Sequence, residues 1–168
     1  MEILTPAFIA SQVLVFFALG FDFLSMQYKK RKYTLLCLLA SASLISVHYF
    51  LLSKVVAGII ILVSVARYMV CYRTINKKFL YLFLGINTVI FIITYAEVYD
   101  IVIYLALLFS TIGVFQKDNQ LLRKLIMLGT SLLVVYNLFI FSPMAVLVEG
   151  SFLVSNFIGY YRHYLRKK

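Results

Sequence analysis

The chain reads as an all-α integral membrane protein of seven transmembrane helices, and three observations predict this. Its 168 residues are 64% hydrophobic and only 13% charged, against about half and about a quarter in a soluble domain. The apolar residues fall in runs close to the ~20 a helix needs to cross hydrocarbon. The basic residues collect in alternate turns between those runs. So much Leu, Ile, Val and Phe cannot be hidden inside so short a chain, which makes the lipid bilayer its solvent. The net charge of +10 then reports membrane topology and not nucleic-acid binding.

Breaks in the apolar pattern set the spans at 6–25, 33–53, 55–73, 79–96, 100–116, 121–141 and 143–161. The opening MEILTP has no basic stretch, and no small-residue cleavage site follows the first run, so that run is expected as a retained helix. The fourth and fifth spans are parted only by Glu97, Val98, Tyr99 and Asp100. One long kinked helix is the alternative there. Lys29, Lys30, Arg31 and Lys32 follow the first span, and Arg73, Lys77 and Lys78 the third. Lys117, Arg123 and Lys124 surround the fifth-to-sixth turn, and Arg162, Arg166, Lys167 and Lys168 end the sequence. The opposite side receives Lys54, Glu2, Glu97 and Asp100. This alternation requires an odd number of spans, with the N-terminus outside and the C-terminus cytoplasmic. Cys37 and Cys71 then lie near cytoplasmic helix ends and are expected as reduced packing residues. Every linker is short, so a single membrane domain is expected.

Sliding the chain against itself by 89 residues lays the first three spans on the last three without a gap. Thr5, Ala7, Val13 and Leu19 meet Thr94, Ala96, Val102 and Leu108, and Gln27 meets Gln116. Ser53 meets Ser142, and Tyr72-Arg73 meets Tyr161-Arg162. Ser41 and His48 fall on Thr130 and Asn137, and Arg67 falls on Asn156. The reading is a first triple-helix repeat (1–76), a linking inverter helix (77–98) and a second repeat (99–168). Parallel repeats in a 3+1+3 order are the architecture of SWEET-type transporters.

Ionisable and amide groups inside the spans mark sites by default. Glu149 and Asn156 lie seven residues apart on one face of the seventh span, and Ser64 and Arg67 share a face of the third. The expected arrangement is a pocket with an outer layer of His48, Asn137 and Glu149, joined by Gln12, and an inner layer of Ser64, Arg67 and Asn156. Arg67 would attract a carboxylate, a phosphate or another acceptor-rich solute. Glu149, with His48, would carry a proton or bind a cationic group. Gln27, Gln116, Arg73 and Arg162 would mark the cytoplasmic end. Structural alternatives stand beside these roles. His48 can be an interfacial histidine, the two asparagines interhelical glue, Arg67 a snorkelling side chain, and Arg67 with Glu149 a structural ion pair.

Enzyme chemistry finds no support: there is no G-x-S-x-G, no H-E-x-x-H and no carboxylate pair, and no metal or cofactor is expected. The pieces 47-VHYFLLSKVVAGIIILVSVAR-67, 136-YNLF-139 and 149-EGSFLVSNFIGYYR-162 closely resemble the bacterial YgjV inner-membrane proteins, in order and at matching spacing. The resemblance implies a bacterial inner-membrane protein with a transporter-like bundle grouped with the SWEET and PQ-loop classes. His48, Arg67, Asn137, Glu149, Asn156 and Arg162 match that pattern. Ser64 and Gly159 stand where asparagine is expected, and Tyr136 where histidine can occur. The expected function is a small-solute carrier or facilitator working by alternating access on a small polar or anionic solute. A receptor, or a regulatory or structural membrane protein, is the alternative. The lipid bilayer is the expected partner, and a homo-oligomer is compatible with the pattern.

Overall fold

The computed structural model describes residues 5–139 and 141–166, so Glu2, Lys167 and Lys168 of the charge pattern lie outside it. The chain forms α1 (Pro6–Ser25), α2 (Arg31–Leu51), α3 (Val55–Arg73), α4 (Lys77–Thr94), α5 (Asp100–Val114), α6 (Asn119–Phe139) and α7 (Pro143–Tyr160). A π-helical turn, Tyr161–Leu165, continues α7. These bounds follow the expected spans to within a few residues. By length and composition α1, α2, α4 and α6 can cross a membrane, and α5 is a shorter apolar helix of 15 residues.

Local chemistry sets the helix ends. Thr5 accepts the Phe8 amide ahead of Pro6, and Asn76 accepts the Lys78 amide. Asp118 takes the Gln120 and Leu121 amides at the start of α6. Each satisfies a donor that has no partner within the helix. Between α4 and α5 the Asp100 carboxylate accepts the Ala96 and Glu97 amides at 2.9 Å each. That turn separates two helices and removes the single-kinked-helix alternative.

α2 packs against both α1 and α3, and α6 against both α5 and α7. α4 lies on α5, and α1 meets α7. The buried apolar cluster of Met26, Leu35, Leu38, Cys71, Phe83, Val114, Phe115, Leu122 and Ile126 draws on the helix turns beside the basic loops. The molecule is therefore packed most tightly at its basic end. Cys37 and Cys71 are free thiols.

Several features of α2 and the turn after it recur in α6 and the turn after it at a spacing of 88 residues, one less than the spacing read from the sequence. Buried Thr34, Leu35, Leu38 and Ser41 of α2 match buried Leu122, Arg123, Ile126 and Gly129 of α6. Ser43 bonds the Leu39 carbonyl as Ser131 bonds that of Met127. After the positive-φ residues Ser53 and Phe141, the Lys54 amide returns to Tyr49 O and the Ser142 amide to Asn137 O. At that spacing Ser41 falls on Gly129, His48 on Tyr136 and Arg67 on Ser155, each one residue from the pairing read at 89. Identities such as Tyr72/Tyr161 and Arg73/Arg162 sit at exposed positions, where packing imposes no register.

Candidate functional site

Polar groups within the helices gather in three places. The first joins α3, α4 and α5. Arg67, 5% exposed, donates to the Thr111 hydroxyl at 2.5 Å, and Asn87 donates to the same oxygen at 2.8 Å. Arg67 also reaches Ser64 at 3.5 Å and lies over the Tyr68 ring, 5.1 Å from its centroid. Its Nε finds no partner. A guanidinium so held is committed to packing helices together.

The second place is the basic end, where two arginines cross between the halves. Arg31, opening α2, donates to the carbonyls of Val114 at 2.6 Å and Gln116 at 2.7 Å, where α5 ends, and to Cys71 O at 3.1 Å. Arg123 of α6, fully buried, donates to the carbonyls of Met26, at 2.6 Å, and Tyr28, where α1 ends. Met26 and Val114, like Tyr28 and Gln116, are 88 residues apart, so each arginine grips the corresponding carbonyls of the opposite half. Helix C-termini expose unpaired carbonyls and the negative end of the dipole, so a guanidinium is the natural partner. Neighbouring contacts tighten this clasp. Gln27 donates to Ser155 Oγ at 2.8 Å, Ser155 donates to Phe23 O at 2.9 Å, and Asn119 donates to Lys29 O at 2.8 Å. Asn156 donates to Arg123 O at 3.2 Å. Arg162 and His163 both meet Gln27 O at 2.8 Å. Gly159 is obligatory here, because a Cβ on it would stand 1.9 Å from Met26 O. Asparagine cannot occupy that position in this packing.

The third place is a cavity of about 190 Å³ among α1, α2, α3, α5, α6 and α7. Asp22 from α1 and Glu149 from α7 line it, with Tyr68, Ser110 and Thr130 supplying hydroxyls. At about 30 Å³ per water it has room for roughly six. Val114, Leu38 and Ile126 belong both to its wall and to the packed core, so core and clasp together close its basic side.

Of the expected pocket residues, only Glu149 lines this cavity. Glu149 and Arg67 do not pair: the bonds the arginine makes go to Thr111 and Ser64. His48 Nδ1 lies 3.1 Å from Ser11 O and ties α2 to α1. Asn137 borders an apolar surface groove with Phe141 and Leu147. Asn156 belongs to the clasp, as do Gln27, Gln116 and Arg162, whereas Arg73 is exposed. Sequence reasoning missed Asp22, Asn87, Thr111 and the inward roles of Arg31 and Arg123. Asp22 carried a usable signal, a carboxylate three residues from the end of an apolar run. Among the described residues no group of three or more His, Cys, Asp or Glu side chains is gathered for a metal.

Searches among curated proteins and among solved structures return no match. A model of bacterial inner membrane proteins, Imp-YgjV, matches residues 9–167. With nearly the whole chain covered, and with apolar helices of membrane-crossing length, the protein belongs to the Imp-YgjV family of bacterial inner membrane proteins.

Proposed function

We propose that the protein is a small-solute carrier or facilitator. In this reading all seven helices cross the membrane with the N-terminus outside, and α4 inverts the second of two parallel triple-helix units in a 3+1+3, SWEET-like order. The observation that carries the proposal is the cavity lined by both triple-helix units, with carboxylates from α1 and α7. A charged side chain at the centre of a membrane helix costs about 2.5–3.5 kcal/mol, and a wet binding space is what justifies keeping two carboxylates within the helices.

The crossed arginine clasp gives the carrier its cytoplasmic gate. Both arginines bond the opposite half, so rocking one unit against the other must break both sets of bonds together. Such coupling favours two discrete states, as alternating access requires. The solute enters with the clasp closed and leaves when it parts.

Flux into vesicles containing the purified protein tests the carrier reading. Uptake above protein-free vesicles for at least one of a panel of small solutes, reduced by Glu149→Gln, is the expected result. A panel spanning anions, neutral polyols and amines that gives no flux above the empty vesicles ends it.

A further inference from the structure

The lining of the cavity is one-sided in charge. Asp22, near the end of α1, and Glu149, in the second turn of α7, are 127 residues apart in sequence. The fold nevertheless brings both to one space. No lysine, arginine or histidine is among its lining residues. Buried Ser41 stands beside Asp22, with Cys37 on the same helix face. Arg67 stacks behind Tyr68 and is spent on Thr111. Arg31 and Arg123 are turned to carbonyls below. Whatever neutralises the two carboxylates must come from outside the chain.

The cavity also has a neighbour on the outer surface of the bundle, parted from it only by side chains that line both. An apolar groove of about 430 Å³ runs between α1 and α7 and shares Leu19, Phe23, Val148 and Ser151 with the cavity wall. Its other walls are Phe16, Phe17, Gly20 and Leu147. Gly20 has nothing within 4 Å of its Cβ position, so the groove is open at its centre. A charged compartment set beside an apolar trough, with Leu19, Phe23, Val148 and Ser151 bordering both, matches a molecule with one cationic end and one hydrocarbon end.

We infer that the site takes cationic amphiphiles, alkylammonium compounds whose head enters between Asp22 and Glu149 while the chain lies in the α1–α7 groove. This rests on the carrier reading for the cavity's purpose, but binding is testable without transport. An ammonium head supplies the positive charge both carboxylates lack and donates to Ser110 and Thr130. A divalent metal is a poorer fit, because two carboxylates fall well short of the six to eight oxygens calcium takes. The hydrocarbon tail lies against the phenylalanines of the groove, where it takes the place of a lipid chain and gains by van der Waals fit and by being tethered to the bound head. The Arg67 cluster and the basic end cannot serve such a ligand, since both are cationic.

The test uses the full chain in phosphatidylcholine nanodiscs, titrated with methylammonium, hexylammonium, dodecylammonium and uncharged dodecanol, with protein-free discs subtracted. Saturable binding that tightens from methylammonium to dodecylammonium, and is absent for dodecanol, is expected. Asp22→Asn and Glu149→Gln should each weaken dodecylammonium at least tenfold, and Glu97→Gln, an exposed acid, should leave it unchanged. Equal affinity for methylammonium and dodecylammonium would remove the groove from the site. Equal affinity for dodecanol, or full retention in both cavity variants with normal elution profiles, would overturn the proposal. Dodecylammonium binding without flux of any solute would end the carrier reading alone. Flux of an uncharged or anionic solute with no ammonium binding would end this inference alone.

Discussion

Replacing Arg123 by methionine should open the basic end of the molecule. Methionine keeps most of the aliphatic stem, so packing against the core changes little. The Asn156 bond is also spared, because its acceptor is the Arg123 backbone carbonyl. What is lost is the pair of bonds to Met26 O and Tyr28 O. Hydrogen bonds to a charged group contribute about 1.5–3 kcal/mol each, while polar contacts between membrane helices average only about 0.6 kcal/mol. Taking about 3 kcal/mol for the pair, and 1.4 kcal/mol per tenfold, the closed-to-open ratio should fall roughly a hundredfold. The gain is confined to the closed form, because those bonds cannot survive separation of the halves.

A cavity thiol reports that ratio. With Cys37 and Cys71 replaced by alanine, Ser110→Cys places a reactive group of nearly the same size in the cavity wall. A membrane-impermeant thiol reagent is applied from the basic side. Labelling should be about a hundredfold faster in Arg123→Met than in the Arg123 parent. Arg31→Met should act in the same direction, because it grips the corresponding carbonyls. Unchanged labelling in a variant that elutes as a single species would refute the clasp as a gate.

Other consequences are separable. Gly159→Ala should cost about 1–3 kcal/mol through overpacking against Met26 O, whereas Gly85→Ala, with open space around it, should be neutral or stabilising. Thermal unfolding of the two side by side checks the difference. Thr111→Val leaves Arg67 and Asn87 without their shared acceptor; a loss of about 2 kcal/mol or more is expected, against near-neutrality for the exposed Thr94→Val. Protonation removes the cavity's negative charge, so dodecylammonium affinity should fall as pH is lowered. Glu149→Gln should flatten that profile, and an identical profile would assign the titration elsewhere. A reporter active only outside the cytoplasm should function when fused ahead of Pro6 and fail when fused after Arg166; the reverse would invert the topology.

The helices and most of their ends were legible in the sequence, because hydropathy in a membrane chain reports length directly and Thr5, Pro6, Asn76 and Pro143 mark starts by known cap chemistry. The site was legible only in part. Glu149 stood out as a lone carboxylate in its run, and a depth count placed it in the outer third of its helix. Depth along one helix, however, does not say which neighbour a side chain faces. Arg67 and Asn156 could be put at similar levels, yet one binds α5 and the other α6. A half-to-half register read from identities meets a related difficulty. Lipid rewards any large apolar residue alike, so identities on exposed faces accumulate without regard to alignment. Buried positions carry the register, and burial is not written in hydropathy when both environments are apolar.

The arginines of the clasp show why charge counting alone misreads such a chain. Arg31 and Arg123 fall within the basic clusters that orient it, and by composition they are ordinary anchors. Yet the fold brings the C-termini of α1 and α5 to the same end of the molecule. Unpaired carbonyls and negative dipole ends therefore collect where the positive charge is concentrated. An arginine there has two destinations, the headgroups outside or the carbonyls inside. Arg123 has no exposure and Asn156 holds its backbone, so the second has won. The same residue can thus set topology during insertion and close the cavity afterwards. A lysine in its place would preserve the first role and, lacking a fork to span two carbonyls, weaken the second. Arg123→Lys should therefore leave the parent's membrane orientation unchanged while raising Ser110→Cys labelling above that of the Arg123 parent. Equal labelling in the two would mean that positive charge alone, and not the forked grip, holds the halves together.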